Sequence, residues 1–460
     1  MITRDLDAVI KAYDVRGVYP DQLDAELAER IGGAFVQVVG AAVESGGAGA
    51  VVIGRDMRPS GPELVEAFSR GVTAQGVDVV DIGLASTDML YFAAGRLGLP
   101  GAMFTASHNP ARYNGIKLCR AGAVPVGQDT GLATIRQRVA GPIAPADVPS
   151  GRVVNRDMLA DYAEHLHSLV ALGGIRPLKV VVDAGNGMGG HTVPTVLDQP
   201  ALTVVPMYFE LDGTFPNHEA NPLDPANLVD LRARVVAEGA DLGLAFDGDA
   251  DRCFVVDERG EPVSPSALTG LIAERELARH PGATILHNLI TSRAVPELVE
   301  RLGGTPFRTQ VGHSFIKAHM AATGAVFGGE HSGHFYFADF WNADSGMLAA
   351  LHTLAALGGS PAGTTLSQLA SRYEVYVASG EINSMVTDQA AATRRVREAF
   401  EHRDDVSLDY LDGMTVSAPT WWFNVRPSNT EPLLRLNAEA ETAERLAEIR
   451  DQVLALIRET

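Results

Sequence analysis

The sequence predicts three similar α/β domains followed by a smaller α+β domain. The chain has 460 residues, too many for one hydrophobic core, and about 100–150 residues per domain gives three or four domains. Short apolar runs alternate with helix-like stretches, which is typical of α/β layers with a largely parallel sheet. This alternation restarts twice along the chain, after Pro/Gly-rich or polar stretches.

The first domain is expected over residues 1–150 and the second over residues 151–258. The elements predicted in the first are strands at Ala50–Ile53, Val77–Val80 and Ala102–Phe104, and helices at Asp24–Ser45 and Gly61–Gln75. A Pro/Gly-rich stretch over residues 141–151 predicts the linker that follows. The second domain begins with a strand that runs into a glycine loop, LKVVVDAGNGMGG, and continues with the strands LTVVPMYF and DLGLAF.

The third domain is expected over residues 259–371 and the last over residues 372–460. A polar, Pro-containing stretch precedes the third domain, whose first strand is predicted at Ala283–Asn288. The elements predicted in the last domain are strands near Glu374–Val377, Met414–Val416 and Trp421–Val425, and a helix from Thr442. The mixture of strands and a single terminal helix indicates an α+β domain.

Composition excludes several classes of protein. Hydrophobic residues make up 46% and charged residues 20%, as is ordinary for a globular protein, and no apolar run reaches the roughly 18 residues that a membrane span needs. The N-terminus has no apolar signal region, and the two cysteines form no CxxC pattern, so a cytoplasmic protein without disulfides is expected. A net charge of −20 repels nucleic acid and anionic membranes, so neither is an expected partner.

Lysine is scarce in this chain and therefore informative. Only four of the 37 basic residues are lysines: Lys11, Lys117, Lys179 and Lys317. The pKa of a lysine can be tuned for proton transfer, whereas an arginine stays protonated. Lys117 follows Ser107 by ten residues, which makes it the strongest candidate for such a role, while Lys179 opens a strand and is interpreted as structural.

An acidic loop follows the apolar strand DLGLAF. The segment FDGDADR places Asp247, Asp249 and Asp251 at alternate positions, where extended backbone directs side chains to one side. Three crowded carboxylates repel one another unless a cation lies among them, and oxygen ligands favour Mg²⁺ or Ca²⁺. An EF-hand is excluded because Arg252 stands where that loop needs glycine. An acidic solvated turn and a phosphatase with an aspartyl nucleophile are the alternatives.

The segment TASHNP, residues 105–110, follows another apolar strand. Taken alone it is a strand-ending turn, because Asn-Pro and Ser favour turns. Together with the acidic loop it supports a second interpretation, since Mg²⁺ held by three aspartates has positions open to a phosphate oxygen. A phosphoserine at Ser107, the three aspartates, Lys117 and Arg252 would supply the metal, cations and base that phosphoryl transfer needs.

Six segments in order resemble the α-D-phosphohexomutases, and most closely their bacterial phosphomannomutase/phosphoglucomutase branch. They are YDVRG, TASHNPARYNGIK, FDGDADR, VGHSFIK, GGEHSGH and RPSNTEP. The resemblance spans essentially the whole chain. It implies four domains around a central cleft, namely three similar α/β domains with mixed sheets and a smaller α+β C-terminal domain.

The resemblance also implies a reaction. A phosphoserine at Ser107 passes its phosphoryl group to a hexose 1- or 6-phosphate, the bound 1,6-bisphosphate turns around, and its other phosphate returns to Ser107. The implied cofactors are Mg²⁺ and, as activator, glucose or mannose 1,6-bisphosphate. The implied partners are hexose phosphates, and a monomer is expected, with a dimer as the alternative.

Matching positions receive roles from the family. Asp247, Asp249 and Asp251 resemble the metal ligands, with the phosphate on Ser107 completing the set. Lys117 resembles the general acid/base and His108 shapes the serine loop. Residues that resemble contacts to the sugar phosphate or the transferring group are Tyr13, Arg16 and Arg252.

The later segments resemble the substrate-binding loops. Glu330 and Ser332 match the sugar-reading loop, in which His334 helps to move protons, and His313 resembles a sugar contact, with a packed core histidine as its alternative. For His319 and His331 the packed interpretation is favoured. The residues that resemble the distal phosphate clamp are Arg426, Ser428, Asn429 and Thr430, and the last domain is expected to swing as a lid.

Two stretches depart from the family pattern. Several relatives carry a sugar-contacting lysine in the third domain, where this chain has HNLITS, with Ile290 near that position. The segment GRDMRPSG matches a family loop only loosely, so Arg55, Arg58 and Ser60 receive no catalytic role.

The sugar specificity is predicted from two positions. Phosphoglucosamine mutases tend to carry glutamine where this chain has His331, and glycine where it has Asn429. Both positions favour the mannose/glucose branch. Glucose-only mutases tend to lack the final SGH pattern, so its presence further supports mannose as a substrate, with glucose as a further substrate. The alternatives are a phosphoglucosamine mutase and, in a different class, a Mg²⁺-dependent sugar-phosphate phosphatase or a non-catalytic sensor of sugar phosphates.

Overall fold

The computed structural model describes residues 5–40, 49–428 and 433–459, with the backbone alone at residues 313 and 314. The chain divides into two compact units that are not continuous in sequence. The first comprises Met1–Val263 and Ser332–Ser367, and the second Ser264–His331 and Gln368–Thr460. Each unit is described by itself.

A seven-stranded mixed sheet forms the N-terminal part of the first unit. Its strands are β1 (Val15–Val18), β2 (Ala50–Arg55), β3 (Asp78–Leu84), β4 (Gly101–Phe104), β5 (Tyr113–Arg120), β6 (Val124–Pro125) and β7 (Val153–Asn155). Their order is β1-β5-β4-β2-β3-β7, with β6 beside β5. Strands β4, β2, β3 and β7 are parallel, whereas β5 runs antiparallel to β1, β4 and β6.

Helices accompany this sheet in the first unit. They are α1 (Leu6–Val9), α2 (Ala25–Val39), α3 (Gly61–Thr73), α4 (Thr87–Leu97) and α5 (Leu132–Val139). A Cβ atom at Gly71 of α3 would lie 1.9 Å from the Glu29 carbonyl oxygen of α2, so glycine lets these helices approach closely. The helix predicted through Ser45 ends at Val39, because Gly40 adopts the left-handed conformation with φ of 70°.

A second mixed sheet follows in the first unit. Its elements are α6 (Leu159–Leu169), β8 (Leu178–Asp183), α7 (Gly189–Val196), β9 (Leu202–Met207), α8 (Val229–Glu238), β10 (Leu242–Phe246), β11 (Cys253–Asp257) and β12 (Pro262–Val263). The order is β12-β11-β10-β8-β9. Strands β10, β8 and β9 are parallel, and β11 is antiparallel to β10 and β12. The acidic loop therefore joins two fully buried antiparallel strands.

The third part of the chain contributes to both units. The second unit contains α9 (Pro265–Arg279), β13 (Thr284–Asn288), α10 (Ala294–Arg301), β14 (Thr305–Thr309), α11 (His313–Thr323) and β15 (Phe327–Gly329), with β13 parallel to β14 and to β15. The first unit contains the antiparallel strands β16 (Phe335–Phe337) and β17 (Ala343–Asp344), then helix α12 (Gly346–Gly358), which is almost fully buried. Helix α13 (Leu366–Ala370) follows.

The C-terminal part of the second unit is an antiparallel sheet with two helices. Its elements are β18 (Val377–Met385), α14 (Gln389–Phe400), β19 (Ser407–Asp409), β20 (Met414–Ser417), β21 (Trp421–Pro427), β22 (Leu433–Ala440) and α15 (Ala443–Arg458), with strand order β18-β22-β21-β20-β19. The strand predicted near Glu374–Val377 instead begins at Val377. Phe423 centres the core, with its ring 5.0 Å from that of Phe400 and stacked on Trp421 at 6.0 Å.

Together these elements confirm the predicted class of α/β parts with mixed sheets and a smaller α+β C-terminal part. Every helix in the described ranges is too short or too polar to span a membrane.

Candidate active site

Ser107 lies in the loop that connects β4 to β5 in the first unit. The buried strand β4 ends at Phe104, and the loop reverses the chain within eight residues. Ser107 is 5% exposed and adopts φ of 49°, in the left-handed region that few non-glycine residues occupy. Its hydroxyl donates to Asp247 Oδ2 at 2.8 Å, and its Oγ lies 3.2 Å from His108 Nδ1. The serine is therefore held against the acidic loop.

The three aspartates of the acidic loop form a buried cluster. Asp247, Asp249 and Asp251 each place a carboxylate oxygen within 4.8 Å of the other two. Asp249 Oδ1 and Asp251 Oδ1 are buried, and neither has a hydrogen-bond partner among the described residues. Buried oxygens without donors are costly unless they bind a cation. An all-oxygen set suits Mg²⁺ or Ca²⁺, so these residues fit a divalent metal ion.

Burial and charge act strongly on Asp247. Its Oδ2 accepts hydrogen bonds from the Ser107 hydroxyl at 2.8 Å and from Arg252 Nε at 2.9 Å. Burial raises the pKa of Asp247 to about 7; Arg252 opposes this rise, and the charges of Asp249 and Asp251 add to it. Three carboxylates this close do not all stay ionised without further positive charge, which again indicates a cation site.

Lys117 lies on β5 and faces two of the three aspartates. Its Nζ donates to Asp249 Oδ2 at 2.7 Å and to Asp251 Oδ2 at 2.6 Å. Burial by itself lowers the pKa of this lysine, but the two carboxylates outweigh burial and hold the pKa well above its ordinary value. Lys117 is therefore protonated here, and its ammonium group donates hydrogen bonds to the acidic loop that also contacts Ser107.

Arg252 and His108 complete the surroundings of Ser107. Arg252 is 3% exposed, and both its backbone N–H and its Nε donate to Asp247. Burial, together with the positive charges of Arg252 and Arg16, lowers the pKa of His108 well below its ordinary value. The His108 imidazole is therefore neutral at pH 7.

Two further predicted residues lie in the same unit. Arg16 donates from Nη1 to Asn109 Oδ1 at 2.7 Å and from Nη2 to Asp14 Oδ2 at 2.5 Å, which attaches it to the serine loop. Tyr13 is 37% exposed.

His334 also belongs to this cluster. It forms an isolated antiparallel bridge with Arg252, and its Nδ1 lies 2.9 Å from Asp344 Oδ2 and 3.8 Å from Asp251 Oδ1. Burial lowers the pKa of His334, but Asp251 and Asp344 outweigh it and raise the pKa above its ordinary value. Asp344 thus orients the imidazole ring of His334. The sequence analysis did not identify Asp344 as a partner of this histidine.

Thr87 is a second residue that the sequence analysis missed. It is fully buried at the first position of α4, its hydroxyl donates to Asp249 Oδ2 at 2.6 Å, and its backbone N–H donates to the Asp249 carbonyl at 2.9 Å. These bonds hold Asp249 in place through Oδ2 and the backbone, while its Oδ1 has no hydrogen-bond partner among the described residues. The two partners are 162 positions apart, so the sequence carried no local signal of this contact.

The remaining predicted residues lie at the division between the units or in the second unit. The segment GGEHSGH is divided, with Ser332, which is partly exposed, in the first unit and Glu330 in the second. Glu330 is 2% exposed and accepts a hydrogen bond from Gly312 N at 3.0 Å. Burial lowers the pKa of His331, and the ring of His319 packs 5.2 Å from that of Phe307.

Arg426, on β21, is the charged residue of the predicted phosphate clamp. Its Nη2 lies 3.5 Å from Glu381 Oε2, and its Nη1 lies 3.5 Å from Asp412 Oδ2. Ser428 is 9% exposed beside it in sequence. The predicted residues Asn429 and Thr430, and the side chain of His313, lie outside the described residues.

Four family models match successive parts of the chain. Three describe phosphoglucomutase/phosphomannomutase alpha/beta/alpha domains, namely domain I over residues 7–142, domain II over 160–260 and domain III over 264–376. The fourth describes the phosphoglucomutase/phosphomannomutase C-terminal domain, over residues 381–456.

Bacterial relatives match over nearly the whole chain. A protein named phosphohexose mutases, from Xanthomonas campestris pv. campestris, is 44% identical and covers 97% of this chain and 98% of its own. The phosphomannomutase/phosphoglucomutase of Pseudomonas aeruginosa is 38% identical, covering 96% and 94%. A crystal structure of a phosphoglucomutase/phosphomannomutase family protein from Burkholderia thailandensis has a TM-score of 0.88 at 34% identity, covering 99% and 98%.

Proposed function

Since the chain belongs to the phosphoglucomutase/phosphomannomutase family and is therefore a mutase, we propose that it interconverts hexose 1-phosphates and hexose 6-phosphates through a phosphoserine at Ser107. Mannose phosphates are the proposed substrates, with glucose phosphates as further substrates. Relatives named phosphomannomutase or phosphomannomutase/phosphoglucomutase, 38–39% identical, support this choice.

One observation carries the proposal: the Ser107 hydroxyl lies 2.8 Å from an aspartate of a buried acidic cluster that fits a divalent cation. A serine that exchanges a phosphoryl group needs positive charge against the phosphate and a group that moves a proton. Lys117 and Arg252 provide that charge within the same unit, at hydrogen-bond distance from the aspartates.

In the proposed step the bond between phosphorus and Ser107 Oγ breaks, and a bond forms between phosphorus and a free hydroxyl oxygen of the sugar phosphate. The sugar hydroxyl loses its proton to a base, for which we propose Lys117, because a cation bound by Asp249 and Asp251 would offset the carboxylate charges that raise the pKa of this lysine. The same proton is then passed to Ser107 Oγ. Arg252 and Arg16 steady the phosphoryl group, neutral His108 shapes the loop, and His334, oriented by Asp344, relays protons. The second half-reaction reverses these bond changes with the other phosphate of the bisphosphate.

A metal ion is part of the proposal. Asp247, Asp249 and Asp251, with a phosphate oxygen on Ser107, would hold Mg²⁺, which when bound offsets the negative charge of the phosphate. Glucose or mannose 1,6-bisphosphate is the proposed activator, because it would phosphorylate Ser107.

Recognition of the sugar is proposed for the other predicted residues. Glu330 and Ser332 would bind ring hydroxyls, and Arg426 and Ser428 would bind the phosphate that does not react. Tyr13, His313, Asn429 and Thr430 stay predictions in the same role. A cytoplasmic monomer, and domain boundaries near residues 150, 258 and 371, also stay predictions.

The test is ³¹P NMR of the chain with Mg²⁺ and a trace of glucose 1,6-bisphosphate. Mannose 1-phosphate, glucose 1-phosphate and glucosamine 1-phosphate are offered separately, and the Ser107→Ala variant is the control. We expect 6-phosphates from the first two, slow conversion of the third and no conversion by Ser107→Ala. Fast glucosamine conversion would instead indicate a phosphoglucosamine mutase, and release of inorganic phosphate that survives Ser107→Ala would indicate a phosphatase.

A further inference from the structure

We propose that Arg58, together with Asp56 and Thr105, positions Ser107 for phosphoryl transfer, an inference that rests on the proposed function. These residues do not touch the reacting atoms. They hold the peptide groups on both sides of Ser107, and so they fix the direction of its hydroxyl.

Arg58 uses every donor of its guanidinium group. The side chain is fully buried, and a guanidinium has five N–H groups in a rigid fork. Nε donates to Asp56 Oδ2 at 3.1 Å, and the other four N–H groups donate to backbone carbonyls of the serine loop. Those carbonyls belong to Ser107 (2.9 Å), Asn109 (2.6 Å), Pro110 (2.9 Å) and Tyr113 (2.9 Å).

Thr105 completes a closed ring of hydrogen bonds. The Ser107 N–H donates to Thr105 Oγ1 at 2.9 Å, and the Thr105 side chain is hydrogen-bonded to the Asp56 carboxylate. Asp56 Oδ1 accepts from the Arg58 N–H at 2.9 Å, and Arg58 Nη2 returns to the Ser107 carbonyl. Both the N–H and the C=O of Ser107 are therefore tied to one buried ion pair.

The backbone of Ser107 explains the need for this ring. A serine at φ of 49° is in a conformation that an L-residue adopts only where its surroundings impose it. If the ring opened, the loop would relax toward an ordinary turn and Oγ would leave Asp247. A lysine at position 58 could not replace the fork, because its donors share one nitrogen.

The test compares substitutions in the ring with a matched arginine elsewhere in the first unit. Arg58→Lys removes the fork, Thr105→Val removes the hydroxyl while keeping the shape, and Thr105→Ser restores the hydroxyl. Arg176→Lys is the control, because Arg176 also bonds an aspartate (Asp241 Oδ1, 3.0 Å) and a carbonyl (Thr364 O, 2.9 Å), away from the serine loop.

We measure kcat and KM for mannose 1-phosphate, the melting temperature, and phosphorylation of Ser107 by mass spectrometry after addition of glucose 1,6-bisphosphate. Arg58→Lys and Thr105→Val should each lower kcat by about 100-fold, the loss typical of a misplacement near 1 Å, with KM little changed and phosphorylation of Ser107 slowed. Thr105→Ser should recover most of this loss, whereas Arg176→Lys should affect only the melting temperature.

The positioning role is overturned if the unsubstituted chain is active and the ring variants lose no more kcat than Arg176→Lys. It is also overturned if Thr105→Ser is as impaired as Thr105→Val, since the hydroxyl would then be irrelevant. An unsubstituted chain that neither converts mannose 1-phosphate nor becomes phosphorylated would overturn the proposed function itself.

Discussion

The cations around Ser107 and the arginine of the predicted phosphate clamp are held in different ways. In the first unit Lys117 contacts two carboxylates at 2.6 and 2.7 Å, and Arg252 contacts Asp247 at 2.9 Å. In the second unit Arg426 lies 3.5 Å from Glu381 and 3.5 Å from Asp412. The first set is fixed before any phosphate binds, whereas Arg426 is held weakly enough to exchange its partners.

This difference suits the proposed reaction. Transfer to and from Ser107 uses the same atoms in both half-reactions, so preorganised charge lowers the barrier each time. The phosphate that does not react comes from either end of the sugar, so its binding site needs tolerance rather than rigidity. Substitutions around Ser107 should therefore change kcat, and substitutions at Arg426 should change KM.

The largest expected effect is at Lys117. Lys117→Met should lower kcat by about 10²- to 10⁴-fold, the range for loss of a general acid or base. Lys117→Arg should be nearly as inactive despite keeping the charge, because a guanidinium does not release a proton at neutral pH. A coupled assay for the 6-phosphate product measures kcat, and substantial activity in Lys117→Arg would show that charge alone is required.

Thr87 offers a test that does not depend on turnover. Thr87→Val removes the hydroxyl that holds Asp249 Oδ2 at 2.6 Å, and loss of such an orienting bond should weaken divalent-metal binding by about 10- to 100-fold. Titration with Mn²⁺, followed by electron paramagnetic resonance, measures the affinity directly. Thr87→Ser keeps the hydroxyl and should bind nearly as well; equal affinity in both variants would contradict the role of this bond.

At Arg426 we expect a change in KM rather than in kcat. Arg426→Lys should raise KM for mannose 1-phosphate roughly tenfold, since one charge-assisted hydrogen bond of the fork is lost, and should leave kcat within about threefold. Arg435→Lys is the control, because Arg435 also faces Glu381, at 3.4 Å, but is not part of the predicted clamp. If Arg426→Lys instead lowered kcat and left KM unchanged, Arg426 would act in the same way as the fixed cations around Ser107, and the proposed difference would be contradicted.

The sequence indicated the residues that meet around Ser107 in the first unit, but not the residues that hold them in place. Ser107 and the three aspartates follow buried strands, and the scarcity of lysine indicated Lys117, so local patterns sufficed to nominate residues that the fold brings together. Thr87 was missed because its partner Asp249 is distant in sequence, and Arg58 because most of its partners are backbone carbonyls, which no side-chain pattern reveals. Asp344 is only ten residues from His334, but this spacing belongs to no pattern that indicates a pair. The strands of the first sheet were also predicted only in part. Alternation of apolar runs and helices predicted the parallel strands β2, β3 and β4. It did not predict the antiparallel strand β5, because the residues of β5 were interpreted as part of a family motif.

The smallest expected effect on turnover concerns Asp88, a buried carboxyl group of the first unit. Its buried Oδ2 accepts from Ser345 Oγ at 2.6 Å and from the Tyr162 hydroxyl at 2.7 Å, and Oδ1 accepts from Ser86. Burial raises the pKa of Asp88 from 3.8 to about 6, so between these pH values the folded chain keeps a proton that the unfolded chain has lost. The contribution of Asp88 to stability therefore falls as pH rises through this window, by at most about 3 kcal/mol.

Asp88→Asn has no proton to lose, so its melting temperature should rise relative to that of the unsubstituted chain between pH 4 and pH 7, while kcat changes little. If the difference in melting temperature between the two chains instead stayed constant from pH 4 to pH 7, Asp88 would not change its protonation in that range, which would contradict the raised pKa.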